Sequence, residues 1–157
     1  MGRSSGPRRF DSAEQEAFLN LWRTYDRLRA FEDDLFAGFE LTPQQYNLLR
    51  LLKAARPDPV PTLALAERLV SRAPDVTRML DKLEARGLVA RARSADDRRS
   101  VLVTATDAGL ELLAKIAAPL RACHARQLGH LSADQLAALT ALLKLARAPH
   151  EPAEPWQ

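Results

Sequence analysis

Sulfur and glycine are both scarce in this sequence. Cys123 is the one cysteine in 157 residues, which excludes a disulfide within the chain, and three scattered histidines add little to a metal-ligand set. Six glycines and 6% aromatic residues are few for a β-sandwich or barrel, which draws on glycine turns and aromatic strands. Ala and Leu abound instead, and the balance favours helices. No apolar run approaches the ~18 residues of a membrane span. The opening Met-Gly-Arg-Ser-Ser-Gly-Pro-Arg-Arg has early positive charge but no apolar stretch behind it, unlike a secretory signal. Gly6 stands where a myristoylation signal needs Ser or Thr. A cytoplasmic location with no membrane partner is the expectation.

With 46% apolar and 27% charged residues the chain can bury a core. Its net charge of +3 is modest. Residues 71–100 hold eight basic against five acidic side chains, an excess equal to that of the whole chain. Arg3, Arg8 and Arg9 lie in residues 1–12, read as a flexible basic arm.

From Ala13 to about Phe39, apolar residues recur in steps of three and four at Phe18, Leu21, Trp22, Tyr25, Leu28, Phe31, Leu35 and Phe39. At about 1.5 Å per residue this helix is ~40 Å long, more than a small domain needs, so its apolar stripe is expected to meet a partner. Thr42-Pro43-Gln44-Gln45 reads as a capping box opening a second helix, which three prolines at Pro57, Pro59 and Pro61 stop. Thr62 is expected to cap a short helix to about Val70. Another is expected from near Pro74 to Arg86, burying Val76, Met79, Leu80 and Leu83, with Gly87 as its C′ residue. The period then changes. Leu88–Arg93 and Arg99–Ala105 predict a β-hairpin around Ser94–Arg98. Two more helices follow, capped by Thr106 and by Ser132 with Gln135, and residues 148–157 read as a frayed tail.

Helix, turn, helix and hairpin in that order, with basic residues on the second helix and the hairpin, are a winged helix-turn-helix pattern. The expected class is mainly α, with a two-stranded β-wing and long terminal dimerisation helices. On the Pro74–Arg86 helix the outward set is Asp75, Thr77, Arg78, Asp81 and Lys82. Arg78 suits guanine, Thr77 a thymine methyl or a phosphate, and Arg72 and Lys82 the backbone phosphates. Arg98 and Arg99 at the hairpin tip suit the minor groove, whose negative potential attracts arginine. The plain alternative is a solvated mixed-charge face, diluted by Asp75 and Asp81.

Residues 62–109 resemble the DNA-binding core of the MarR family of bacterial transcriptional regulators. The resemblance runs through Leu65-Ala66-Glu67-Arg68-Leu69, then Val76 to Val89, and above all the wing: Asp97-Arg98-Arg99, the strand Val101–Thr104, Thr106 and Gly109. Ala105 departs from the family's usual Leu. The resemblance implies that Asp97 braces the wing and that Arg99 is its minor-groove finger, although alternation along the strand leaves open whether Arg98 or Arg99 reaches DNA. More generically it extends over residues 14–147. It implies a single domain at 13–147, with a DNA-binding core at 41–106 and dimerisation helices at 13–39 and 107–147. It further implies a homodimer on a pseudo-palindromic operator of double-stranded DNA, more a repressor than an activator.

Relatives commonly respond to a small aromatic or phenolic effector, for which Trp22, Tyr25, Arg29, Tyr46, Arg121 and His124 are the candidate cleft, although aromatics at helical spacing are more often core. A peroxide-sensing branch carries its cysteine in the first helix. Cys123 lies in the penultimate one, where a buried structural role is expected. His124, His130 and His150 are spaced by six and twenty residues, so no metal or cofactor is expected. No phosphate-binding loop, Gly-x-Ser-x-Gly or His-Glu-x-x-His occurs, and no catalytic residue is nominated. The rival reading is a winged-helix protein-interaction module that binds no specific DNA.

Overall fold

The computed structural model describes residues 9–69 and 75–151. The amphipathic first segment forms α1, Ala13–Ala37, and the Ser12 side chain caps it by accepting from the Gln15 amide. Helix α2, Pro43–Ala55, opens on the expected capping box: Thr42 Oγ1 accepts from the Gln45 amide, and Gln45 Oε1 accepts from the Thr42 amide. Leu48, Leu49, Leu51 and Leu52 of α2 are buried and form the middle of the core.

Beyond α2 the chain extends as β1, Val60–Pro61, a strand that the three prolines concealed. Helix α3, Thr62–Arg68, follows directly. The expectation for Thr62 is corrected here. It is the first helical residue rather than the cap, and its hydroxyl donates to the Val101 carbonyl 3.0 Å away. Helix α3 also stops at Arg68, because Leu69 has an extended backbone. Val70 and Pro74, given above as approximate helix limits, lie outside the described residues.

Helix α4, Val76–Ala85, is capped by Asp75, whose Oδ1 accepts from the Arg78 amide at 2.8 Å. Val76, Leu80 and Leu83 are buried as the periodicity requires, and Met79 is half-buried. The chain turns at Gly87, whose φ of 70° lies in the left-handed region that glycine enters at no steric cost. Strands β2, Val89–Arg93, and β3, Val101–Ala105, form the antiparallel hairpin, in unbroken register from Val89 opposite Ala105 to Arg93 opposite Val101. Strand β1 pairs with the other edge of β3, giving the order β1-β3-β2. Ala105 is buried, so its small side chain trims the packing at the wing base without shifting the register.

Helix α5, Asp107–Leu128, is capped by Thr106, and α6, Ala133–Arg147, by the Ser132–Gln135 box. A 3-10 turn at Ala148–His150 continues α6. Leu113, Ile116 and Leu120 anchor α5 to the core, and Gln127 Nε2 ties it to α1 by donating to the Leu28 carbonyl at 2.8 Å. Helix α6 buries none of its residues within the chain. Among the described residues no helix is long and apolar enough to cross a membrane.

Candidate nucleic-acid interface

Helix α4 is amphipathic in the sense the fold demands. With Val76, Leu80 and Leu83 turned inward, Asp75, Thr77, Arg78, Asp81 and Lys82 are all exposed. Asp75 is committed by its cap: its carboxylate holds the first turn of α4 together and fixes where Arg78 begins. Arg72, the remaining candidate before α4, lies outside the described residues.

The wing tip is ordered by its own short hydrogen bonds. Ser94 donates its amide to the Ser100 carbonyl at 2.9 Å, and its hydroxyl accepts from the amides of Asp96 and Asp97. Asp97 Oδ1 accepts from the Arg99 amide at 2.9 Å, and the Asp97 carbonyl accepts from the Ser100 amide. Asp97 therefore engages the backbone of Arg99 rather than its guanidinium. Arg93 Nη1 donates to the Arg98 carbonyl at 3.3 Å, so the strand holds the tip from below. Arg98 and Arg99 are exposed. A cleft of about 380 Å³ separates the wing from the helices, with Thr77 of α4 on one wall and Asp97 and Arg99 on the other.

A larger cleft of about 820 Å³ opens on the opposite flank of α4, between α1, α2 and α5. It brings together four of the six candidate effector residues, Tyr25, Arg29, Tyr46 and His124. Trp22 is not among its lining. It sits a turn earlier on α1, 62% exposed, with its ring 6.1 Å from that of Phe18. Arg121 is exposed on α5, also outside the lining. Arg78, Met79 and Lys82 of α4, together with its cap Asp75, also line the cleft. The rings of Phe36 and Tyr46 stack at 4.7 Å, and desolvation pushes the Tyr46 phenol up from its ordinary pKa, which keeps it a hydrogen-bond donor. His124 Nδ1 lies 2.9 Å from Gln127 Oε1 and 3.6 Å from Glu32 Oε1.

Two arginines that join α4 to the rest of the fold were not nominated from the sequence. Arg86 hydrogen-bonds the turn after α1, and Arg91 of β2 forks onto Asp81 and Glu84 of α4. Those two carboxylates raise the pKa of Arg91, the bond to Glu84 contributing most. Both arginines belong to the basic run of residues 71–100, but their partners are set by the fold. Cys123 is buried, as expected, and desolvation raises its thiol pKa. Among the described residues no group of His, Cys, Asp and Glu is arranged to hold a metal ion.

Comparison with known proteins gives this geometry a lineage. The MarR family pattern matches residues 41–101, from Leu41, just before α2, to the first residue of β3. An uncharacterized HTH-type transcriptional regulator of Bacillus subtilis strain 168, YkoM, is 34% identical over 144 residues, covering 87% of this chain and 90% of its own. The chain belongs to the MarR family. A crystal structure of a MarR transcription factor from Planctomyces limnophilus shares 54% identity with it over 87% of this chain and 99% of that one, with a TM-score of 0.69. Bordetella bronchiseptica BpsR, a protein whose DNA binding is regulated by 6-hydroxynicotinic acid, aligns at 26% identity over 90% of this chain and 97% of its own, with a TM-score of 0.76. The winged helix-turn-helix of this chain is thus that of a MarR-type transcription regulator, with α4 in the recognition-helix position and β2–β3 as the wing.

Proposed function

We propose that this chain is a ligand-responsive repressor that binds double-stranded DNA as a homodimer on a pseudo-palindromic operator. One observation carries the reading: α4 is anchored by Val76, Leu80 and Leu83 while Thr77, Arg78 and Lys82 face outward beside a wing tip carrying Arg98 and Arg99. A recognition helix needs that division between an anchored and a reading face. Arg78 reads a guanine edge, Thr77 meets a thymine methyl or a phosphate, and Lys82 and Arg72 take phosphates. Arg99, its backbone held by Asp97, enters the minor groove, with Arg98 as the alternative finger. Asp75 acts by fixing the start of the helix. Residues 41–106 form the DNA-binding core, and the site of action is the cytoplasm, where duplex DNA is met.

The terminal helices support the dimer. Phe18, Trp22 and Tyr25 of α1 and Leu142 and Leu145 of α6 are each more than 60% exposed, and no residue of α6 is fully buried within the chain. Apolar surface gains roughly 25 cal/mol per Å² when withdrawn from water, so these stripes favour a second copy. Residues 13–39 and 107–147 would then form the subunit contact, spacing half-sites about 10 bp apart.

The larger cleft supports an aromatic or phenolic effector. It offers Tyr25 and Tyr46 for ring contact and Arg29 and His124 as polar partners, within about 820 Å³. BpsR, similar in fold, has its DNA binding regulated by a hydroxylated aromatic acid. Because Arg78 and Lys82 line the same cleft, an occupant draws on side chains that DNA also needs.

Light scattering and a salt titration together test this reading. A dimer scatters as about 35 kDa, twice the 17.4 kDa chain, and DNA affinity should fall with salt at a log–log slope near −0.9 per phosphate contacted. A 17 kDa species at micromolar concentration contradicts the dimer. An affinity for DNA that is absent in dilute buffer returns the chain to the rival protein-interaction module.

A further inference from the structure

The DNA-facing helix of a repressor gains nothing from negative charge, yet α4 carries Asp81 and Glu84 on the side toward β2. Their side chains are 59% and 43% exposed, so both project field into the solvent beside Arg78 and Lys82. Left unpaired, they would repel phosphates, and Asp81, one turn after Arg78, would compete for its guanidinium. Arg91 answers both. Its Nη2 lies 2.6 Å from Asp81 Oδ1 and its Nε 2.6 Å from Glu84 Oε2, and its own side chain is only 23% exposed. A guanidinium forked between two carboxylates is planar, permanently charged and fixed in direction. Here it spans from the wing strand to the recognition helix.

We propose that Arg91 is a positioning residue for DNA binding, which offsets half the charge of Asp81 and Glu84 and holds the wing against α4 without itself touching the duplex. The inference rests on the DNA-binding function proposed above. With Arg91 the trio carries one net negative charge, and without it two. Exposed ion pairs add little to folding stability, so the effect belongs in DNA affinity rather than in melting temperature.

The test uses the full chain and a fluorescein-labelled duplex of the sequence it enriches from random DNA. Arg91→Gln should weaken binding on the order of tenfold, a like-charge penalty at an interface. The triple variant Arg91→Gln, Asp81→Asn, Glu84→Gln should bind within about twofold of wild type, with an unchanged salt slope because no phosphate contact is lost. A purely structural ion pair gives no reason for that rescue. A triple variant that stays weak, with a slope shallower by about 0.9, means Arg91 contacts a phosphate directly and overturns the proposal. Unchanged binding by Arg91→Gln overturns it as well. Should Arg91→Gln fail to fold, the triple variant, which has no unpaired carboxylate, decides by the same affinity and slope. A wild-type chain that enriches no duplex overturns the functional reading and this inference together, before any variant is made.

Discussion

The Arg86 guanidinium donates from Nη1 to the Glu40 carbonyl at 2.6 Å, with Nη2 reaching the Phe39 carbonyl at 3.2 Å. Glu40 has a φ of 54°, a left-handed backbone that a residue with a Cβ adopts at some cost. The last residue of the recognition helix region thus clasps the turn between α1 and α2, forty-six positions earlier in the chain. Removing the clasp frees two carbonyls that water can partly satisfy. Arg86→Ala should therefore cost about 1 kcal/mol, near the net value of an ordinary hydrogen bond. Urea unfolding checks this: the midpoint falls while the slope is unchanged. An unmoved midpoint would mean the clasp contributes nothing.

Arg78 is exposed on α4 and its backbone amide is held by the Asp75 cap. Arg78→Ala should cost about 1–3 kcal/mol on the preferred sequence and relax discrimination at one base pair per half-site. Competition binding against duplexes varied at single positions measures both. Equal losses on specific and random DNA would show that Arg78 touches only phosphate.

Gly109 sits where α5 meets the wing base. Its amide donates to Thr106 Oγ1 at 3.1 Å, and that hydroxyl donates to the Gly87 carbonyl at 2.6 Å. A Cβ placed on Gly109 would stand 2.3 Å from the Leu88 carbonyl oxygen, which is backbone and cannot swing aside. Gly109→Ala should destabilise the fold by about 2–3 kcal/mol, in the range of overpacked sites. A thermal melt reads it directly, and a melting temperature equal to that of wild type would refute the contact.

Burial raises the Cys123 pKa, with Glu32 adding to the shift and Arg126 opposing it. The thiol is therefore protonated at neutral pH, and iodoacetamide should label the native protein far more slowly than the urea-unfolded one. The same shift fixes a pH effect. A thiol whose pKa is higher folded than unfolded adds stability below the unfolded value of about 8.5, and that contribution is lost as pH rises through the folded pKa. Cys123→Ala should flatten the alkaline fall. Rapid labelling of native protein at pH 7.5 would contradict the assignment.

Local chemistry was the part of the fold open to reading from sequence. Thr42 with Gln45, and Ser132 with Gln135, form reciprocal side-chain to backbone bonds within three residues, so the helix starts are written where they occur. The inward face of α4 followed from spacing alone. Strand β1 did not, because Val60 and Pro61 are two residues whose partners, Val103 and Leu102, lie about forty positions away. Thr62 has the composition of a cap, but its hydroxyl was drawn off by the Val101 carbonyl, a partner that exists only once the sheet forms. The candidate site divides in the same way. Outward positions on one helix could be listed, whereas the fork from Arg91 to Asp81 and Glu84 crosses the turn at Gly87 and needs the hairpin in place. The larger cleft likewise draws on four helices, and it gathers Tyr25, Arg29, Tyr46 and His124 but not Trp22 or Arg121, because helical spacing does not tell which turns of α1 and α5 face α2 and α4.

Selection of bound sites from a pool of random duplexes tests the central claim most directly. The account predicts enrichment of an inverted repeat whose halves are centred about 10 bp apart, one turn of B-DNA, with base preference strongest where Arg78 reads. Folded protein that enriches no sequence in dilute buffer would contradict it.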